Sequence, residues 1–147
     1  CVCYDDPCSG TLTEPPLWTL NANPVSDANM TVTGDGVSSN SLGGAPAALF
    51  ARAEFTITLS EQRCISSIDL SGQGTGLGVW QTAELLIDGV VVVSSFNVNS
   101  TVGCNTSRVT LPEETLGTTI TIRRLTGNAG SDSYRHYFQC LRVNYLA

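Results

Sequence analysis

Apolar and polar residues alternate along much of this chain, which is the pattern of β-strands with one buried and one solvated face. The alternation is strict over residues 51–59. Residues 83–87 and 90–94 flank Asp88-Gly89, the dipeptide that best fits the positive φ angles of a two-residue type I′ turn, and so predict a hairpin. Weaker strand candidates lie at 18–20, 29–33, 65–70, 108–111, 118–124 and 137–146.

This succession of short strands, separated by glycine-rich turn segments at 34–36, 43–46 and 127–130, predicts an all-β protein with an antiparallel β-sandwich. One segment differs in character, because residues 1–16 are rich in cysteine and end at Pro15-Pro16. We therefore expect two parts, a cysteine-rich N-terminal arm over residues 1–16 and a β-sandwich domain over residues 17–147.

The predicted hairpin carries apolar residues on both faces. Regular pairing from its turn gives three pairs on one face and two on the other: Ile87–Val90, Leu85–Val92 and Ala83–Ser94, then Leu86–Val91 and Glu84–Val93. A sandwich strand needs only one apolar face. Leu86, Val91 and Val93 therefore require a cover, either the arm of the same chain or a neighbouring subunit, and they form a candidate assembly face.

Composition narrows the classes of function. The 147 residues suffice for one core, the formal charge is −6, and all seven basic residues are arginines. Nucleic acid is excluded as a partner because backbone binding needs a basic surface. No apolar run approaches the roughly 18 residues that span a bilayer. Lysine is the residue that most often blocks edge-to-edge pairing of sheets, so its absence favours self-association.

The cysteines indicate an oxidising, extracellular compartment. A chain that begins at a cysteine is what a secreted protein leaves after its signal segment is removed, with a lipid-modified Cys1 as the alternative. The spacing of Cys1 and Cys3 is too close for paired zinc ligands. Six cysteines allow 15 connectivities, but their split into two groups predicts an arm that is stapled to the body by disulfides: Cys1, Cys3 and Cys8 in the arm, and Cys64, Cys104 and Cys140 in the body.

Five segments give the sandwich a characteristic order: residues 55–59 (FTITL), 65–71 (ISSIDLS), 83–89 (AELLIDG), 119–124 (TITIRR) and a last strand over 137–145. This order resembles the galactose-binding-like jelly roll, a superfamily that includes many carbohydrate-binding modules and adhesive domains. The resemblance covers roughly residues 18–146. It implies a jelly-roll β-sandwich and a structural calcium ion near one edge, although no calcium loop can be matched residue by residue.

Catalytic chemistry is scarce. The one histidine, His136, has neither a nucleophile elbow nor a cysteine partner. The adjacent carboxylates Glu113 and Glu114 point apart on a strand, whereas a glycosidase pair faces one cleft from different elements. The glycine-rich segment 72–78 leads into a strand and not into a helix, so it is no phosphate-binding loop. We therefore expect no enzymatic activity.

A sugar site in a sandwich module combines an aromatic platform with amide or guanidinium groups. Two loops supply these groups, and their residues form a candidate sugar site: Trp80, Gln81, Tyr134, Arg135 and Tyr137. The alternative is that Trp18 and Trp80 are core residues. Three Asn-x-Ser/Thr sequons give candidate N-glycosylation sites at Asn29, Asn99 and Asn105.

The two-faced hairpin, the missing lysine and the few aromatic residues lead us to predict a secreted, non-catalytic structural subunit of an extracellular filament or surface coat. The alternative function is a carbohydrate-binding, lectin-like or adhesive module. The partners expected are further copies of the chain and glycans, and no cofactor is expected apart from calcium.

Overall fold

The computed structural model describes residues 8–20, 25–26, 28–34, 49–51, 53–74, 80–98, 104–127 and 136–147. Within these ranges the chain forms only β-strands, all paired antiparallel. The strands are β1 (Leu12–Thr13), β2 (Trp18–Thr19), β3 (Val25–Ser26), β4 (Met30–Gly34), β5 (Leu49–Ala51), β6 (Glu54–Gly74), β7 (Trp80–Ile87), β8 (Val90–Asn97), β9 (Ser107–Gly127) and β10 (His136–Leu146). The described ranges contain no helix that could cross a membrane.

Two long strands, β6 and β9, run through both layers of the sandwich. Residues 54–58 of β6 pair with residues 119–123 of β9, and the first layer is completed by β3 and β4 on one side and by β7 and β8 on the other. Both strands bend where their pairing shifts register, between Thr58 and Arg63 of β6. Beyond this bend, residues 63–70 of β6 pair with residues 107–117 of β9, and β10 joins β6 on its other edge. The outer edge of β10 carries β1, β2 and β5. The predicted jelly-roll β-sandwich is therefore confirmed.

The bend is visible in the β6–β9 ladder, whose register shifts between Thr58 and Arg63. Gly117 lies opposite Arg63 at this point. A Cβ on Gly117 would overlap Cγ2 of Ile87, so glycine allows β7 to approach the bend of β9 closely.

One hydrophobic core lies between the layers. The alternation predicted for 51–59 is confirmed where side chains are described, because Phe55, Ile57 and Leu59 are buried and Thr58 is exposed. The ring of Phe138 from the second layer lies 4.5 Å from Phe55 and 5.0 Å edge-on from Trp80, both in the first layer. These contacts join the two layers through aromatic packing.

The hairpin has the predicted turn but not the predicted register. Asp88 and Gly89 have φ angles of 47° and 83°, and the two pairs next to the turn, Ile87–Val90 and Leu86–Val91, are present. Further from the turn, bulges insert two extra residues into β8, so Leu85 lies opposite Val93 and Ala83 lies opposite Phe96. The predicted pairs Leu85–Val92, Ala83–Ser94 and Glu84–Val93 are wrong for this reason.

The candidate assembly face is not a continuous exposed surface. Leu86 is only 5% exposed, Val93 packs partly buried against the core, and Val91 alone is well exposed, at 46%. The described part of the arm does not cover the hairpin, since β1 lies at the opposite end of the strand order from β8. Leu86 is buried within the chain, and the bulge places Val93 against the core, so the three residues do not form the exposed apolar face that would favour a neighbouring subunit.

The arm instead lies along β10 in the second layer. Thr13 lies opposite Tyr145, and Trp18 lies opposite Leu141. A disulfide joins Cys8 of the arm to Cys64 of β6, so the predicted stapling of the arm is present. A second disulfide joins Cys104 to Cys140 within the body. Cys1 and Cys3 lie outside the described residues.

Candidate functional site

Of the predicted sugar site, the structure describes the side chains of Trp80 and Gln81. Trp80 is fully buried, with its ring packed against Phe138, so it cannot serve as an exposed platform and the alternative of a core tryptophan is correct. Gln81 is exposed on β7. Tyr134 and Arg135 lie outside the described residues. Tyr137 belongs to β10, but its side chain also lies outside the described part.

A cavity of about 290 Å³ opens at a different place, between the arm and the bend of β6. We call it the arm pocket. Its lining comes from the arm, the start of β4, the bend of β6 and the end of β10: Pro15, Pro16, Leu17, Trp18, Asn29, Met30, Leu59, Ser60, Glu61, Arg63, Val143 and Tyr145.

The arm forms one wall of this pocket because it leaves the β10 ladder for a short stretch. Between the pairs Thr13–Tyr145 and Trp18–Leu141, residues 14–17 of the arm face residues 142–144 of β10 without pairing to them. Pro15 and Pro16 occupy this stretch. Proline has no N–H to donate to a ladder, so two successive prolines favour the separation that opens the pocket.

The bend of β6 forms the opposite wall. The residues between Thr58 and Arg63 are released from β9 by the register shift, and Leu59 pairs instead with Met30 of β4. The backbone N–H of Ser60 donates to the carbonyl oxygen of Asn29 at 2.7 Å. This hydrogen bond holds the start of β4 against the bend, and Asn29 itself is exposed.

The chemistry of the arm pocket combines rings with an ion pair. The guanidinium carbon of Arg63 lies 4.4 Å from the centre of the Tyr145 ring, and Nη2 of Arg63 lies 2.6 Å from Oε1 of Glu61. Glu61 is largely exposed, whereas Trp18 and Tyr145 are half-buried. Buried Leu59 and Val143 supply an apolar floor. The pocket therefore offers two aromatic surfaces below an exposed donor and acceptor pair.

A second polar cluster lies on the outer face of the second layer. Asp69, whose side chain is 4% exposed, accepts hydrogen bonds from Arg108 Nε at 2.9 Å, Arg142 Nε at 2.8 Å and Asn144 Nδ2 at 3.1 Å. The hydrogen bonds from Arg108 outweigh the effect of burial and lower the pKa of Asp69 to about 2. Arg108 also pairs with Glu14 of the arm at 3.0 Å. Since Asp69 is surrounded by donors of the chain itself, this cluster connects strands and is not a binding site.

Among the described residues, the remaining candidates from the sequence do not form a site. Glu113 and Glu114 are both exposed on β9, and the side chain of His136 lies outside the described residues. In the described ranges, no three His, Cys, Asp or Glu side chains come together as metal ligands. The structural calcium ion that the resemblance implies stays a prediction, because calcium also takes backbone and amide carbonyl oxygens as ligands. Among the sequons, Asn29 and Asn105 are exposed, and Asn99 is outside the described part.

Sequence reasoning missed the arm pocket because its walls come from distant parts of the chain. Trp18 and Tyr145 lie near opposite ends of the sequence, and they come together because β2, which holds Trp18, pairs with β10, which holds Tyr145. Two local signals were present: the prolines directly before Trp18, and the polar pair Glu61 and Arg63 at the end of an alternating strand. The sequence does not show that these two segments lie side by side, because only the fold brings them together.

The chain matches no family model, and no curated protein matches its sequence. Among solved structures, an F5/8 type C domain from Bacteroides fragilis has a TM-score of 0.60 at 11% identity, over 86% of this chain and 97% of that chain. A family 32 carbohydrate-binding module from C. perfringens, in complex with galactose, has a TM-score of 0.47 at 18% identity, over 91% of this chain and 99% of that chain. The module CBM36, in complex with calcium and xylotriose, has a TM-score of 0.46 at 18% identity, over 88% and 99%. The similarity to the F5/8 type C domain shows the fold alone, a β-sandwich of the kind that the strand order predicted.

Proposed function

We propose that this chain is a non-catalytic extracellular module that binds glycans in the arm pocket. The observation that carries the proposal is the placement of two half-buried aromatic rings, Trp18 and Tyr145, beside the Glu61–Arg63 ion pair in one cavity. The two disulfides fit an oxidising compartment. Galactose and xylotriose are ligands of the structural neighbours, and the proposal for this chain depends on its own pocket.

Saccharides match this chemistry because each ring has an apolar C–H surface and a rim of hydroxyl groups. The indole of Trp18 and the part of the Tyr145 ring that the Arg63 guanidinium leaves uncovered suit the C–H surface. Arg63 has five N–H donors and Glu61 has two acceptor oxygens, so their mutual contact leaves groups free to bond hydroxyls. The pair is neutral as a whole and the formal charge of the chain is −6, which favours neutral over anionic saccharides.

The size of the pocket limits the affinity. Its volume of about 290 Å³ lies at the lower end of the range for small-ligand sites. Stacking contributes on the order of 1 kcal/mol per ring beyond the buried area. We therefore expect weak binding of one saccharide unit and stronger retention on surfaces that present many copies.

We propose glycan binding in place of the structural subunit that the sequence predicted. A structural subunit was predicted in part from an uncovered apolar face at Leu86, Val91 and Val93, but Leu86 is buried and Val93 packs against the core. The glycan-binding alternative gains a cavity that the sequence did not reveal.

The proposal is tested on protein made without N-glycosylation, by its binding to an array of immobilised neutral and acidic oligosaccharides. Tyr145→Ala and Glu61→Ala are expected to weaken binding about tenfold each, equivalent to about 1.4 kcal/mol. Gln81→Ala, in the site that the sequence suggested, is the matched control and should bind like the wild type. Glu61 is exposed, so loss of binding in Glu61→Ala cannot be attributed to unfolding. Wild-type binding by both pocket variants, or loss in Gln81→Ala alone, would contradict the proposal.

A further inference from the structure

One of the candidate glycosylation sites lies in the wall of the arm pocket. Asn29 begins the sequon Asn29-Met30-Thr31, it is exposed, and both Asn29 and Met30 line the cavity. The hydrogen bond from the Ser60 N–H to the Asn29 carbonyl fixes the backbone at this position. Asn105 is also an exposed sequon asparagine, but it does not line the cavity.

We propose that an N-linked glycan on Asn29 occupies the arm pocket of its own chain, so that glycosylation of this residue closes the pocket to other glycans. The step is transfer of an oligosaccharide from a lipid pyrophosphate donor. A bond forms between the Asn29 amide nitrogen and the anomeric carbon, the bond from that carbon to pyrophosphate oxygen breaks, and the amide loses one proton. Recognition of the attached sugar by the pocket rests on the proposed function, whereas coverage of the pocket mouth follows from the position of Asn29 alone.

Tethering is the physical reason for expecting occupancy. A ligand on a short flexible linker reaches an effective concentration in the millimolar range at its site. The arm pocket is small, and its affinity for one free saccharide unit is expected to be weak. A sugar attached to the wall therefore competes well with any sugar in solution. External glycans would bind only to molecules that carry no glycan at Asn29.

The two tryptophans give a measurement of pocket coverage that does not depend on glycan binding. Trp18 is half-buried and lines the arm pocket, whereas Trp80 is fully buried. Acrylamide in solution therefore quenches Trp18 more than Trp80. A glycan that enters the pocket should lower this quenching.

Matched variants at Thr31 separate the glycan from the side chains of the pocket. Thr31 does not line the cavity and lies half-buried in β4 opposite Thr58. Thr31→Val removes the sequon and keeps a β-branched residue in the strand, whereas Thr31→Ser keeps the sequon. Asn105→Gln removes a sequon away from the pocket. All forms are produced in a host that performs N-glycosylation, and site occupancy is read from glycopeptide masses.

The expected result is a glycan on Asn29 in the wild type and in Thr31→Ser. Compared with Thr31→Val, both should show weaker acrylamide quenching and at least about tenfold weaker binding to the oligosaccharide array. Asn105→Gln should behave like the wild type. An unmodified Asn29 in every form overturns the inference, as does a modified Asn29 with unchanged quenching. If Thr31→Val shows stronger quenching than the wild type but no binding to the array, coverage by the glycan is supported and only the proposed function is contradicted.

Discussion

Two edges of the sandwich, the one at the hairpin and the one at the arm, are held by different kinds of contact. At the hairpin edge, β8 is joined to β7 by a two-residue turn, and all of its pairing is to a neighbour in sequence. At the arm edge, β1 and β2 pair with β10 from the other end of the chain, and a disulfide links Cys8 to Cys64. The hairpin therefore depends on local turn chemistry, whereas the arm depends on contacts that form only in the folded chain.

Each edge also has an aspartate with a lowered pKa, in contrasting surroundings. Asp88, in the exposed turn, accepts hydrogen bonds from the backbone N–H groups of Thr118 and Thr119 at 3.0 and 2.9 Å, and these lower its pKa. Asp69 is buried and bonded to two arginines, one of which reaches Glu14 of the arm. The arm edge thus connects the arm, β6, β9 and β10 through one carboxylate, while the hairpin edge fixes one turn to one strand.

Removal of the arm disulfide should cause the largest loss of stability among the changes considered at the two edges. Cys8→Ala with Cys64→Ala opens a cross-link with a sequence separation of 56, which contributes about 4 kcal/mol in the chain-entropy model. The arm is also a wall of the pocket, so glycan binding should be lost together with stability. Denaturant unfolding and the oligosaccharide array measure the two effects.

The second disulfide provides the control for this experiment. Cys104→Ala with Cys140→Ala opens a cross-link with a separation of 36, also worth about 4 kcal/mol in the same model. Neither cysteine lines the arm pocket. This variant should lose similar stability and keep its binding. Equal loss of binding in both double variants would show that the arm has no special part in the pocket.

The second-largest effect is expected from acid, which should lower the free energy of unfolding by protonating Asp69. The pKa of Asp69 is lowered from 3.8 to about 2 in the folded chain, so the folded state favours the ionised form. Its contribution of about 2 kcal/mol is present above about pH 4 and is lost as the pH falls towards 2. Unfolding free energies measured from pH 6 to pH 2 should decrease over this window.

The variant Asp69→Asn isolates that contribution. It should be less stable than the wild type at pH 6, because Arg142 and Arg108 lose their carboxylate partner, and its stability should depend less on pH between 4 and 2. Asp88 remains in this variant and keeps a smaller acid dependence. An unchanged pH dependence in Asp69→Asn would show that other carboxylates cause the acid response.

The smallest effect is expected at the hairpin edge. Val91 is 46% exposed, so Val91→Asp should change the unfolding free energy by no more than about 0.5 kcal/mol. Leu86, its partner across the hairpin, is 5% exposed, and Leu86→Ala should cost about 2–5 kcal/mol. Size-exclusion chromatography of Val91→Asp gives a further check. Strong destabilisation or altered assembly of this variant would restore the hairpin face as an interface.

The sequence could predict those features that depend on neighbouring residues. The period-two pattern at residues 51–59 and the turn at Asp88-Gly89 were readable because side-chain alternation and positive φ angles are local properties. The bulges in β8 were not readable, because no glycine or proline signals them and they depend on how β7 packs against β9. The error they caused, a false apolar face, shows how an inserted residue reverses the side that a strand presents.

The candidate site shows the same division. The aromatic residues, the proline pair before Trp18, the sequon at Asn29 and the cysteines that can hold the arm are all visible in the sequence. The folded chain is needed to show that Trp80 fills the core and that Trp18 lines a cavity with Tyr145 and Arg63. Burial and concavity arise when strands distant in sequence pair and bend, and no property of one segment specifies those partners.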